Sequence, residues 1–328
     1  MTPRRWILLV LALVLGVGPL LVPLQSTGVD PASRAYANSQ FINLRGVRTH
    51  VQFWEPSGTP IATVLAYHHF YGSAQTFDAM GELLAADGVR LVAFDRVGFG
   101  LTERVEPEGR FTGSDAPYTR DFAVEQGAEL LDLLDVDKAV VMGTSMGGTT
   151  ALQFAIAHPQ RVAHLIPTAA ALYDDSSAPP WARPILRSRW ALGIASWVVR
   201  RETPKAANSE RVTGAWLDPS KATQADIDAH FGFIGVDGWD RGLVYKLASD
   251  VKPDLRPDFH KIPDAGVPVT PVGGTDDPII RPKFVELLAE GVRSPPVFIE
   301  CGHVVQQECP DALARLVLGI VHELVASR

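Results

Sequence analysis

Short apolar runs separated by stretches of helical spacing recur along most of this chain. Residues 41–54 alternate, with Val47, Thr49, Val51 and Phe53 sharing one face and Arg45-Gly46 able to turn the run into a hairpin. Residues 61–67 and 89–95 have the length of buried strands, and 76–86 between them has helical character. Ala123, Gly127, Leu130, Leu131 and Leu134 fall at helical spacing, and a strand-like run follows at 139–143. Further strands are predicted at 162–169, 267–273 and 296–300. Leu313, Leu316, Val317, Ile320 and Leu324 mark a closing amphipathic helix. Strands alternating with helices predict an α/β fold, a mainly parallel sheet with helices on both faces.

Two segments depart from this rhythm. Arg4 and Arg5 precede an uncharged, Leu- and Val-rich run at residues 6–24. As a helix that run would rise about 28 Å, close to the ~30 Å of a bilayer's hydrocarbon core. Gly16, Gly18, Pro19 and Pro23 weaken its second half. The pattern predicts an uncleaved signal anchor with a linker over residues 1–37. A cleaved signal peptide is the alternative, although Ala35-Tyr36-Ala37 lies well beyond the apolar run. Either reading places residues 38–328 outside the cytoplasmic membrane, anchored through the N-terminal segment or secreted. The second departure is residues 173–262, where strand-helix alternation lapses. Five of the seven tryptophans lie there (Trp181, Trp190, Trp197, Trp216 and Trp239), together with Pro179-Pro180, Pro184, Pro204, Pro219, Pro253 and Pro257. An insertion packed over one end of the sheet accounts for both features.

Composition narrows the function. The 30 basic and 37 acidic residues leave a net charge of −7 with no basic stripe, which argues against a nucleic-acid partner. The two cysteines, Cys301 and Cys309, are too few for a disulfide framework or a structural zinc site. They can close one small loop or remain two thiols.

The chemistry is carried by Gly143-Thr144-Ser145-Met146-Gly147, which follows one predicted strand and runs into a helix that Pro159 stops. This is a G-x-S-x-G nucleophile elbow in a strand–turn–helix context. Such a serine sits in a tight, strained turn that exposes its hydroxyl, and the flanking glycines let strand and helix approach closely. A serine hydroxyl needs a base. Among nine histidines, His303 follows Cys301-Gly302 just beyond the last predicted strand, whereas His322 and His158 fall on a polar helix side and a helix end. The orienting carboxylate is expected at Asp277, in Gly273-Gly274-Thr275-Asp276-Asp277-Pro278, with Asp276, Asp174 and Asp175 as alternatives. Ser145, Asp277 and His303 follow the chain order expected of this arrangement.

These features, with Asp95-Arg96-Val97-Gly98-Phe99-Gly100 as a D-x-x-G-x-G loop, resemble the α/β-hydrolase family from about residue 41 to 324. The leading apolar run resembles that of its membrane-anchored bacterial members. The resemblance implies an eight-stranded, mostly parallel sheet in a core of residues 38–172 and 263–328, with 173–262 as a helical cap over the substrate pocket. It also implies that the backbone amides of Met146 and Phe70 form an oxyanion hole. One departure stands out: in His68-His69-Phe70-Tyr71-Gly72, His69 occupies the position where such proteins usually carry glycine. Adjacent histidines on an extended segment point apart and lack flanking ligands, so no metal is expected, and the chemistry requires no cofactor. The expected activity is hydrolysis of a lipophilic carboxylic ester through an acyl-enzyme. The same triad also serves C–C bond hydrolysis, perhydrolase or hydroxynitrile-lyase chemistry. A silent small-ligand-binding protein on the same scaffold is the non-enzymatic alternative.

Overall fold

The computed structural model describes residues 16–23, 26–172, 181, 183–207, 210–249 and 254–327. Eight strands form one sheet: β1 (Ser39–Leu44), β2 (Val47–Trp54), β3 (Ala62–Tyr67), β4 (Val89–Phe94), β5 (Ala139–Thr144), β6 (Val162–Thr168), β7 (Val272–Gly274) and β8 (Val297–Ile299). Their order is β1-β2-β4-β3-β5-β6-β7-β8. β1 and β2 form the hairpin expected around Arg45-Gly46, β2 runs antiparallel to β4, and every later pairing is parallel.

Period-two alternation divides the strand residues between two helical layers. Leu65, Tyr67, Val92, Phe94 and Val141 face helices α2 (Arg120–Leu133) and α3 (Met146–Ala157), packing with Leu130, Leu131, Leu152 and Phe154. Their neighbours Val64, Ala66, Leu91, Ala93, Val140 and Met142 face the opposite way. There they meet Met80 and Leu84 of α1 (Asp78–Ala86) and Leu313 and Val317 of the closing helix Pro310–Ala326. The central parallel strands β3, β4 and β5 are buried on both faces, so they read in sequence as continuous apolar runs.

The strand expected at 267–273 is shorter. Only Val272–Gly274 forms a strand, preceded by an isolated bridge from Val269 to Leu165. Pro268 and Pro271 supply no N–H to a ladder, although their carbonyls still accept from Leu165 and Val297.

Between β6 and β7 lie the helices α4 (Arg189–Ala207), α5 (Gln224–Phe231) and α6 (Trp239–Ser249). Val199 of α4 and Leu243, Val244 and Tyr245 of α6 pack with Phe99 and Tyr118 of the core. Trp216 and Trp239 are buried in this insertion, whereas Trp181, Trp190 and Trp197 are exposed.

Among the described residues the N-terminal run does not form the expected anchor helix. Residues 6–15 and 24 of the apolar run lie outside the described residues, and the described part is helical only over residues 16–21. No helix among the described residues is long and apolar enough to cross a membrane. The end of the run instead lies against the insertion. Arg189 donates to the carbonyls of Pro19 and Val22, and Arg200 donates to that of Pro23. Ser26 donates through its amide and hydroxyl to Asp240 at 2.9 Å, and Val29 bridges to Val236. The membrane anchor, and the anchored or secreted location inferred from it, are therefore withdrawn.

Candidate active site

Ser145 lies between the end of β5 and the first residue of α3, with φ 56° and ψ −119°. That left-handed conformation lets the chain pass from strand to helix at a single residue. Its amide donates to Thr168 O at 2.9 Å, and its carbonyl accepts from Ala171 at 3.1 Å. A β-carbon at Gly143 would collide with the carbonyl of Gly147, and one at Gly147 with the carbonyl of Tyr67 in β3. The two glycines of the motif thus make room for backbone against backbone.

Asp277 and His303 come from the loops after β7 and β8. Their side chains meet at 2.8 Å, Oδ2 to Nδ1, and both residues are buried. The other carboxylate oxygen accepts from Ile279 N at 2.7 Å and Ile280 N at 2.8 Å, which fixes the carboxylate plane. With Nδ1 bonded to a carboxylate, the neutral imidazole carries its proton there and leaves Nε2 as the basic nitrogen. Asp276 points elsewhere: it is exposed and accepts from the Thr275 hydroxyl. Asp174 and Asp175 lie outside the described residues. Ser145 Oγ and His303 are not hydrogen-bonded here, as is common in unliganded sites. The two loops are nevertheless joined, because Thr144, next to the serine, donates its hydroxyl to Gln306 at 2.9 Å.

The Met146 amide opens α3 and so has no partner within the helix. The Phe70 amide donates to no acceptor among the described residues. Around Phe70 the loop is held from behind. His68 Nε2 accepts from the Arg96 amide at 3.1 Å, so His68 Nδ1 carries the proton and donates to His69 O at 2.8 Å. The buried Arg96 guanidinium donates to the carbonyls of His68 at 2.6 Å and His69 at 3.2 Å. Burial and the Arg96 charge push His68 down to about 3, so it stays neutral. Both its ring nitrogens are engaged and a guanidinium stands beside them, a poor setting for a cation.

The β-carbon of His69 is accommodated by what surrounds it. The ring lies against Gly72, where a β-carbon would come within 2.8 Å of it, and 4.5 Å from the ring of His230 in α5. Burial, reinforced by His230, holds His69 well below the usual histidine range, and burial takes His230 down to about 4. His230 Nε2 donates to Gln307 Oε1 at 2.9 Å. Neither His230 nor Gln307 stood out in the sequence: they are distant along the chain, and no local spacing links them.

Asp95 anchors the neighbouring D-x-x-G-x-G loop, accepting from Ala74 N at 2.7 Å, Leu101 N at 2.6 Å and His50 Nδ1 at 2.7 Å. Burial alone would raise it, but His50, His68 and the Ala74 amide together outweigh burial and hold it down to about 2. One further cluster, Cys301, Glu308 and Cys309, brings potential metal ligands together. The two sulfurs are instead joined as a disulfide, with Cα atoms 6.4 Å apart.

Comparison with known proteins identifies the family. Residues 57–316 match the alpha/beta hydrolase family. A 2-hydroxy-6-oxononadienedioate/2-hydroxy-6-oxononatrienedioate hydrolase of Paraburkholderia xenovorans is 24% identical over 295 residues, 87% of this chain and 96% of that protein. Lipase LipV of Mycobacterium tuberculosis is 27% identical over 285 residues, covering 82% and 95% of the two chains. Among solved structures, a thermophilic esterase from Thermogutta terrifontis superposes with a TM-score of 0.65 at 24% identity, over 88% of this chain and 99% of that one. With that match spanning most of its length, the chain belongs to the alpha/beta hydrolase family.

Proposed function

We propose that this hydrolase is a serine esterase acting on a lipophilic carboxylic ester, with Ser145 as nucleophile, His303 as base and Asp277 as its orienting carboxylate. One observation carries the reading: a serine at positive φ opens a helix while an aspartate-oriented imidazole leaves its Nε2 free as a base. His303 Nε2 takes the hydroxyl proton as Oγ attacks the ester carbonyl. The tetrahedral oxyanion is met by the amides of Met146 and Phe70. Collapse breaks the bond to the alkoxy group, which leaves as alcohol with the proton from His303. Water, deprotonated by the same imidazole, then releases the acid and restores Ser145. Asp277 stabilises the imidazolium without taking its proton. The insertion of residues 173–262 is assigned as the cap, and the apolar cluster of Phe70, Phe99, Met146, Leu192 and Phe233 beside the elbow favours a lipophilic substrate.

A second reading is supported by the similarity to the 2-hydroxy-6-oxononadienedioate hydrolase, since hydrolysis of such a vinylogous diketone breaks a C–C bond. Parallel assays on p-nitrophenyl butyrate and a 2-hydroxy-6-oxo-dienoate separate the two. Ester turnover should dominate, and Ser145→Ala or His303→Ala should each lower kcat by roughly 10³-fold or more, with the double variant little worse. Preferred turnover of the dienoate would replace the ester assignment, and multiplying losses would contradict a shared mechanism.

A further inference from the structure

We propose that Glu308 is a positioning residue for His303, binding the histidine's loop to the insertion through a single buried carboxylate; this rests on the catalytic reading of His303 given above. Glu308 ends the short helical turn Val305–Glu308 and is 9% exposed. Its Oε2 accepts from Gly302 N at 2.8 Å and Leu217 N at 3.0 Å, and its Oε1 from Asp218 N at 2.9 Å. Three backbone amides therefore meet its charge, and bonds of this kind are roughly twice as strong as neutral ones. The amides belong to two separate pieces of chain. Gly302 directly precedes His303, whereas Leu217 and Asp218 lie in the insertion between β6 and β7.

A second contact closes the ring. The His303 amide donates to Ala215 O at 2.7 Å, so the insertion segment that Glu308 holds also holds the histidine's own backbone. Gly302 has no room for a side chain: a β-carbon there would lie 2.5 Å from Leu217 N and 2.6 Å from Ala215 O. Trp216 packs with Val304 in the same small cluster, and the Cys301–Cys309 disulfide closes the loop on its other side. Both amides that set the backbone at His303 are thus fixed by Glu308, one directly and one through Ala215–Asp218. With the Asp277 bond, this leaves the imidazole little freedom, and a shift of the insertion is transmitted to it.

Glu308→Gln keeps the volume but replaces one acceptor oxygen with a donor, so it faces an amide it cannot bond. Glu308→Ala removes both acceptors. On p-nitrophenyl butyrate, well below the melting temperature, kcat should fall about tenfold or more for Ala, with Gln intermediate and KM within about twofold, because misplacing a catalytic group costs turnover rather than binding. The rate of Ser145 labelling by a fluorophosphonate should fall in proportion. Leu44→Ala, a cavity in the core beneath edge strand β1 and outside the insertion, serves as the control. It should lower Tm and leave kcat unchanged. Should the Ala variant not fold, the Gln variant carries the same test. Glu308 variants that keep kcat within twofold, or that lose no more of it than Leu44→Ala does, would overturn the proposal. If wild-type Ser145 is labelled and Glu308→Gln is unaffected, the positioning role falls and the esterase reading stands. If the wild type is not labelled, the esterase reading falls first.

Discussion

Burial holds His68, His69 and His230 neutral well below the usual histidine range. His68 is pushed down to about 3 by burial and Arg96, and His230 to about 4, chiefly by burial. In the unfolded chain both return to about 6.5. Between those values the unfolded chain binds protons that the folded chain does not, so stability is lost as pH falls from about 6.5 towards 4. One unit below the unfolded value, at about pH 5.5, each histidine costs on the order of 1 kcal/mol. Urea titrations at about pH 7.5 and 5.5 should show a clear drop in midpoint, and His230→Phe should remove part of it. A midpoint independent of pH would show that these imidazoles are not held neutral. Such behaviour was invisible in the sequence. His69 stood out there only as an unexpected side chain at a glycine position, and its ring neighbour His230 belongs to an element 161 residues further on.

At the scale of elements, β5, the elbow and α3 form the unit that the sequence described most completely. Its signal is local: an apolar run, two glycines bracketing a serine, and a helix of small residues. The glycines are required by contact, Gly147 against β3 and Gly143 against the start of α3. Gly147→Ala should therefore separate α3 from the sheet, lowering Tm by several degrees and abolishing ester turnover. An alanine variant with wild-type Tm and activity would show that the close approach is dispensable. Residues 61–67 were legible only as an apolar run, and the division of Leu65 and Tyr67 from Val64 and Ala66 between the two faces follows from the pleat of the folded strand. β7 was overdrawn, because an apolar run does not reveal which amides Pro268 and Pro271 withhold. The choice of Asp277 over Asp276 followed from the motif, and the structure pairs Asp277 with His303 while leaving Asp276 in solvent. The insertion was recognised by its tryptophans and prolines, but its joint to the His303 loop depends on tertiary contacts of Glu308 that no spacing announces.

For the whole molecule, the sheet order and the two helical layers bring loops from distant parts of the chain to the carboxyl ends of β3, β5, β7 and β8. The parallel pairing of these strands gathers their following loops on one edge, which is why residues 70, 145, 277 and 303 can belong to one site. The N-terminal run misled because its composition fits a membrane, whereas its described end is bonded to Arg189 and Arg200 of α4. Everything proposed for catalysis reduces to the reactivity of one hydroxyl. A fluorophosphonate incubated with the full chain, followed by peptide mass spectrometry, reads it directly. A single adduct on Ser145 is expected, which disappears in Ser145→Ala and forms far more slowly in His303→Ala. An unlabelled Ser145, or labelling that persists at the wild-type rate without His303, would contradict the catalytic reading.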